Sequence, residues 1–175
     1  MKRRIVDDEH VRTVLDYNKD SGVLTWKRRE SAPTQWNVRY AGTVAGSPLT
    51  SKSNSYIVIR IDGNAYYAHI LAFQIVEGRM PVDVVDHIDG NGSNNAWANL
   101  REATQSQNIA NSIPRTNTVS GLKGAHWDAS RKKWSSAITV NRKALYLGRF
   151  NTAEEAHQAY CKKAVELYGA FARMS

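Results

Sequence analysis

The sequence contains a single cysteine, Cys161, among its 175 residues. One cysteine cannot form an intrachain disulfide, and it cannot supply the several thiolates of a structural zinc site. Any bound metal is therefore expected to have mainly oxygen and imidazole ligands. The cytoplasm, where thiols stay reduced, is the expected compartment.

Long apolar stretches are also missing. No run of about 18 apolar residues is present, which argues against a membrane span, and the charged N-terminus lacks the apolar core of a secretory signal. Apolar residues nevertheless make up 42% of the chain, with five Trp and eight Tyr. This composition predicts a packed core in one ordinary domain or two small ones.

Acidic residues are scarce toward the C-terminus. Residues 114–175 carry 11 Lys/Arg and 4 Asp/Glu, a net +7, whereas residues 1–113 carry 13 and 12, a net +1. Such asymmetry indicates that the C-terminal part attracts phosphates without regard to sequence. A solvated basic face with no partner is the alternative, and charge alone favours nucleic acid only slightly.

The first half of the chain predicts a helix, a hairpin and a second helix. Asp8 can cap a short helix that runs to Asp16. The alternating segment 55–61 is followed by a turn, Asp62-Gly63-Asn64, and a second strand over 65–68. Residues 69–77 then predict a largely buried helix, which Gly78 ends.

A site-bearing segment follows, in the order strand, Gly/Asn-rich loop, short strand and helix. Thr104 and Gln107 form a capping box, so the helix should begin at about Gln105 and carry Asn108 in its first turns. Residues 113–121 contain Pro and Gly without periodicity, which predicts a linker. Three strands and a helix that begins after Thr152 and stops at Gly169 are expected beyond it.

The residues that carry chemistry lie in this central segment. Asp86 and Asn108 can supply a carboxylate and an amide oxygen to a hard cation, leaving positions open for a phosphate and a water. His87 has a pKa range suited to taking a proton from that water. An imidazole base must be held in one tautomer, and the Asn99 side chain could do this. These residue types, in a basic protein, point to phosphodiester hydrolysis on DNA.

The same residues closely resemble the HNH endonuclease motif of phage and intron homing endonucleases. The resemblance covers about residues 55–112 and rests on Asp86-His87-x-Asp89-Gly90-Asn91, Asn94-Asn95, Asn99-Leu100-Arg101 and Asn108. It implies a ββα-metal fold with one divalent metal, held by Asp86 and Asn108. It also implies His87 as general base and Asn99 as the residue that positions it. His69 matches a position often occupied by His, with either phosphate contact or support of the fold as its role.

Several polar residues also have a purely structural interpretation. Asp89-Gly90-Asn91 and Asn94-Asn95 are turn formers, expected to shape the loop rather than react. Asn99 could simply hydrogen-bond the backbone, and only its match to the motif favours a role in positioning His87. His10 and His157 have no carboxylate or amide constellation nearby in sequence, which favours surface or packing roles.

The segment 122–173 resembles the plant ethylene-response-factor DNA-binding domain, through Gly124-Ala125-His126-Trp127, Tyr146-Leu147-Gly148-Arg149-Phe150 and Thr152-x-x-Glu155-Ala156. The resemblance implies a three-stranded antiparallel sheet packed on one helix, with the opposite sheet face in the major groove. Strand alternation places Ser135, Ala137, Thr139 and Tyr146 on that outer face. The expected DNA-binding residues are Ser135, Thr139 and Tyr146, joined by Lys123, His126 and the turn residues Arg131, Lys132 and Lys133. Base preference does not carry over, because Ala137, Thr139 and Ala144 replace the arginines of the plant members.

Together these observations predict an α+β protein with a nuclease region over 1–112, a linker over 113–121 and a DNA-binding domain over 122–175. The expected activity is Mg²⁺- or Mn²⁺-dependent cleavage of double-stranded DNA, nicking or double-strand, of the homing type. The protein should be a monomer or homodimer with no membrane association, in the host cytoplasm if phage-encoded. A DNA-binding regulator with a silent nuclease scaffold is the main alternative, and an RNA-directed protein is a third.

Overall fold

The computed structural model describes residues 6–50, 55–113, 119–140 and 143–174, and it shows an α+β protein, as predicted. The helices are α1 (Asp8–Val14), α2 (Thr34–Tyr40), α3 (Ala68–Glu77), α4 (Gln105–Asn111) and α5 (Ala153–Tyr168). The strands are β1 (Leu15–Tyr17), β2 (Leu24–Trp26), β3 (Ser47–Thr50), β4 (Ser55–Ile61), β5 (Asn64–Tyr67), β6 (Val84–His87), β7 (Leu100–Ala103), β8 (Ala125–Asp128), β9 (Lys133–Val140) and β10 (Lys143–Phe150). Among these residues, no helix is long and apolar enough to cross a membrane.

The chain divides into two compact units, the first ending at Glu102 and the second beginning at Ala103. Helix α4 therefore falls in the second unit, whereas the predicted nuclease region extends through residue 112. Residues 114–118 of the predicted linker lie outside the described residues.

In the first unit, α1 begins one residue earlier than predicted, with Asp7 rather than Asp8 as its N-cap, and it also ends earlier. The Asp7 side chain caps it by accepting a hydrogen bond from the His10 amide. Leu15 is extended and pairs with Trp26 of β2, so the helix stops at Val14 instead of running to Asp16. Leu15 is fully buried in the core, and this strand pairing outweighs the helical pattern of the segment.

Strand β4 is the centre of an antiparallel sheet with β3 and β5 on either side. The predicted hairpin is confirmed, and it turns through Asp62 and Gly63, both of which have positive φ. Helix α3 follows directly and ends at Gly78 in the left-handed conformation, as predicted. Its buried face packs on β4 and α1, which fixes the strand–helix unit ahead of the site.

Strands β6 and β7 pair as a two-stranded sheet. The Gly/Asn-rich loop that joins them includes one turn of 3-10 helix over Trp97–Asn99. Val85 and Leu100 bury their side chains with Ala72 and Phe73 of α3 in a small core. The short apolar strands thus anchor both ends of a polar loop.

In the second unit, β9 is the centre of an antiparallel sheet of order β10-β9-β8, and α5 contacts all three strands. Thr152 and Glu155 form the predicted capping box of α5. Gly124 lies at φ +76°, where a Cβ atom would come 2.2 Å from the Tyr160 ring, so only glycine fits this approach of the loop to α5. Strand alternation predicts that Leu145 faces α5, but its side chain is 42% exposed, on a strand whose register shifts between Tyr146 and Gly148.

Candidate active site

Asp86 and His87 lie at the end of β6 and are buried, with exposed fractions of only 4% and 6%. A buried carboxylate needs a positive partner, since removing an ion from water is costly. Arg101 of β7 provides it, because its Nε donates to Asp86 Oδ2 at 2.9 Å. The pairing of β6 with β7 therefore sets the position of a charged group at the first residue of the motif.

The His87 ring is held by Asn95. His87 Nε2 lies 3.2 Å from Asn95 Oδ1, and both residues are buried. An amide oxygen only accepts hydrogen bonds, so this contact favours the tautomer with the proton on Nε2 and the lone pair on Nδ1. Sequence reasoning assigned Asn95 to loop shaping, and no signal in the sequence distinguished it from its neighbour Asn94.

The segment around Asn95 is itself supported by the β1–β2 turn. The Tyr17 hydroxyl donates to the Asn95 carbonyl at 2.6 Å, and the Trp97 amide donates to the Lys19 carbonyl at 2.8 Å. Gly22 lies at φ +73°, and a Cβ atom there would come 2.2 Å from the Ala96 nitrogen. The N-terminal hairpin thus supports the residue that orients His87.

The Asn99 side chain makes its bonds to the loop backbone and to Asp89 rather than to His87. Its Oδ1 accepts from the Asp89 amide at 3.0 Å, and its Nδ2 donates to Asp89 Oδ1 and to the Asn94 carbonyl. Its backbone carbonyl accepts from the Ile88 amide at 2.9 Å. Asn99 therefore fixes the chain directly after His87, while the expected amide contact to the ring comes from Asn95.

His69, the first-turn residue of α3, lies beside His87. The two ring centroids are 4.9 Å apart in an edge-to-face arrangement, and His69 also stacks on Tyr67 at 5.4 Å. Its exposed fraction is 8%, and its Nδ1 is buried without a hydrogen-bond partner among the described residues. The imidazole is thus a wall of the His87 site, whereas the sequence left phosphate contact and support of the fold both open.

Burial keeps both imidazoles neutral. Desolvation, with a smaller contribution from His87, lowers the pKa of His69 to about 3. Desolvation also lowers the pKa of His87, although the Asn95 hydrogen bond and the charges of Asp89 and Asp86 act in the opposite direction. At neutral pH the His87 ring is therefore available as a proton acceptor.

Asn108 lies in α4, which begins with the predicted capping box of Thr104 and Gln107. The other end of α4 is capped by Lys123, whose Nζ donates to the carbonyls of Ile109, Ala110 and Ser112 at 3.1, 2.5 and 2.8 Å. Burial lowers the pKa of Lys123 to about 8. Lys123, expected to contact DNA, is instead bound to the end of the helix that carries Asn108.

The other predicted DNA-binding residues lie on or beside the β8–β10 sheet. His126, Thr139 and Tyr146 are exposed, whereas Ser135 is half-buried and its hydroxyl donates to the His126 carbonyl. Arg131 pairs with Asp128 at 3.4 Å, Lys132 sits at φ +51° in the exposed turn, and Lys133 bonds Asn151. Arg149, which is not among the expected DNA-binding residues, is exposed on β10; its guanidinium lies 5.5 Å from the Tyr146 ring and also pairs with Asp128.

The donor types fit a hard divalent cation with few protein ligands. The Asp86 carboxylate is buried, and the His87 imidazole follows it along the strand. A carboxylate is the kind of oxygen donor that Mg²⁺ and Mn²⁺ bind while they retain several waters. Among the described residues, no group of three or more His, Cys, Asp or Glu side chains is placed to hold a metal ion.

Comparison with known proteins identifies the family. The HNH endonuclease model matches residues 66–110, which include Asp86, His87 and Asn108. Protein 3.8 of Escherichia phage T7 is 36% identical over 107 residues, covering 60% of this chain and 87% of that protein. The chain belongs to the HNH endonuclease family. The HNH segment thus contains the buried Asp86–His87 pair as well as Asn95 and Asn99, which hold the ring and the loop.

Two mimivirus proteins match more partially. The uncharacterized HNH endonucleases L560 and L245 of Acanthamoeba polyphaga mimivirus are 38% and 23% identical over 99 and 159 residues. This chain spans about half the length of each, 50% and 48%. No solved structure matches the chain. The HNH segment ends at residue 110, so residues 122–175 lie outside it.

Proposed function

We propose that the protein is a divalent-metal-dependent DNA endonuclease that hydrolyses phosphodiester bonds with His87 as general base. The observation that carries this proposal is the buried Asp86–His87 pair, with Nε2 of His87 tied to Asn95. A buried, neutral imidazole with one nitrogen fixed as a donor presents the other as a proton acceptor.

In the proposed reaction His87 Nδ1 takes a proton from water as the water oxygen bonds to phosphorus. The P–O3′ bond breaks, and the 3′ oxygen leaves and is protonated by solvent. The products carry 5′-phosphate and 3′-hydroxyl ends. Asn95 holds the ring in the tautomer that this transfer needs, and Asn99 fixes the backbone on which the ring is mounted.

Asp86 and Asn108 are proposed to hold Mg²⁺ or Mn²⁺. When bound, the cation neutralises phosphate charge and stabilises the leaving oxygen. Support for Asp86 comes from its burial as a carboxylate beside the base. Support for Asn108 comes from its place within the matched segment 66–110 and from the motif resemblance, which implies a metal ligand at this position.

The basic second unit is proposed to bind duplex DNA through the outer face of the β8–β10 sheet, as the ethylene-response-factor resemblance implies. His126, Thr139 and Tyr146 are exposed on its strands, and Lys132 lies in the β8–β9 turn. Covalent linkage raises the local DNA concentration at a nuclease region whose own charge is nearly balanced. Homing-type cleavage by a monomer or homodimer in the host cytoplasm is consistent with this arrangement.

A plasmid relaxation and linearisation assay tests the proposal. Wild type, Asp86→Ala and His87→Ala are compared with Mg²⁺ or Mn²⁺, on a generic plasmid and on DNA of the source genome. We expect metal-dependent cutting by wild type only. If wild type shifts DNA on a gel without cutting it, the protein is a DNA-binding regulator, and equal cutting by His87→Ala would refute the assignment of the base.

A further inference from the structure

The ion pair between Arg101 and Asp86 has a consequence for metal binding. Arg101 Nε lies 2.9 Å from Asp86 Oδ2, and the side chains are 17% and 4% exposed. A charged hydrogen bond between two such shielded groups is only weakly screened by salt. The carboxylate proposed to bind the metal is thus already paired with a cationic side chain, the Arg101 guanidinium.

We propose that Arg101 is a positioning residue that competes with the divalent metal for Asp86 and so weakens metal binding. The inference rests on the proposed function, in which Asp86 is a metal ligand. The guanidinium balances the buried carboxylate while the metal is absent and fixes its orientation through β7. A metal that binds Asp86 must then share the carboxylate with Arg101 or displace it from Oδ2.

The sign of the effect separates competition from simple structural support. A positive charge within a few ångströms of a cation site repels the incoming ion, and the repulsion is strong where the dielectric is low. Removing Arg101 should therefore tighten metal binding. If Arg101 only braced Asp86, its removal would loosen the carboxylate and weaken metal binding instead.

Arg79, which lies between α3 and β6, offers a matched control because it also pairs with a residue of β7. Its Nη2 donates to Glu102 Oε2 at 2.8 Å, so it also pairs with a carboxylate of β7, but it is 46% exposed and bonds the residue next to Arg101. Arg79→Gln removes the same unit of charge from a solvent-screened position. A general charge effect would appear in both variants, whereas competition at Asp86 would appear only in Arg101→Gln.

The experiment measures Mn²⁺ binding to the full-length protein by the electron paramagnetic resonance signal of free Mn²⁺, for wild type, Arg101→Gln, Arg79→Gln and Asp86→Asn. We expect Arg101→Gln to bind Mn²⁺ about tenfold more tightly than wild type. Arg79→Gln should match wild type and Asp86→Asn should lose the site. The Mg²⁺ midpoint for plasmid cleavage should fall in parallel in Arg101→Gln.

A second measurement does not require the variant to fold. In ¹⁵N-labelled wild type titrated with Mg²⁺, the Arg101 Nε–Hε resonance should shift with the same midpoint as metal binding. An unmoved resonance, or equal or weaker Mn²⁺ binding by folded Arg101→Gln, would overturn the competition. A slower reaction of that variant at saturating metal with unchanged Mn²⁺ affinity would instead place Arg101 at the phosphate. Undiminished Mn²⁺ binding by Asp86→Asn would refute Asp86 as a ligand, and the proposed metal site with it.

Discussion

Asn95 and Asn99 carry the same amide but hold different parts of the site. Asn95 bonds the His87 ring, whereas Asn99 bonds the backbone after it. We therefore expect Asn95→Ala to lower the cleavage rate roughly 10- to 100-fold, as loss of an orienting partner does at metal-dependent sites. Single-turnover cleavage at saturating metal measures this. DNA affinity should stay close to that of wild type.

Asn99→Ala is the matched comparison. It removes three hydrogen bonds that close the loop, so the free energy of unfolding should fall by about 1–3 kcal/mol along with activity. Equal activity of Asn95→Ala and wild type would show that the ring is held without the amide.

The buried His69 should make stability depend on pH. Its pKa falls from 6.5 to about 3 on folding, so between these values the unfolded chain binds more protons than the folded chain. The free energy of unfolding should therefore rise with pH across this window, by up to about 1.4 kcal/mol per pH unit, and be lost as the solution is acidified. Chemical denaturation from pH 4 to 7 should give a flatter curve for His69→Phe.

His126→Gln is the control for that experiment, because His126 is exposed on β8. Its curve should follow wild type. A slope unchanged in His69→Phe would mean that another group carries the acid sensitivity.

At the scale of elements, the sequence predicted helices and strands best where local signals were explicit. The capping boxes at Thr104 and Thr152 mark the starts of α4 and α5, and the hairpin at Asp62-Gly63 turns as expected. Helix α2 was missed because it lacks a side-chain cap and follows Pro33. The hydrogen bond between Asn95 and His87 could not be predicted, since it depends on how the β1–β2 turn supports the loop between β6 and β7.

Lys123 was predicted from the sequence to lie on the DNA-binding surface, but its side chain caps the end of helix α4. Three carbonyls at the end of α4 accept hydrogen bonds from its ammonium. Lys123→Met keeps the apolar stem and removes the donors, so we expect a loss of about 1–3 kcal/mol in the free energy of unfolding of the second unit. Denaturation followed by circular dichroism measures this loss. Binding to duplex DNA, and its salt dependence, should not change in this variant. Weaker binding with a smaller salt slope would show that Lys123 contacts DNA phosphate after all.

At the scale of the whole molecule, charge asymmetry should govern DNA affinity. Because residues 114–175 carry a net +7 and residues 1–113 a net +1, we expect the second unit to supply the phosphate attraction. Lys132→Gln removes one exposed charge from the β8–β9 turn, and Lys162→Gln removes one from the exposed side of α5. Each phosphate contact contributes about 0.9 to the slope of log K against log salt on duplex DNA. Lys132→Gln should therefore lower that slope by about 0.9, with Lys162→Gln unchanged.

The same pair of variants separates DNA binding from chemistry. At saturating DNA both should cleave at the wild-type rate, because neither residue belongs to the proposed site of Asp86, His87, Asn99 and Asn108. Fluorescence anisotropy across a salt series, combined with single-turnover cleavage, gives both quantities for the same protein. An equal fall in slope for both variants would indicate diffuse charge attraction, and the sheet face would then have no special role in holding the DNA.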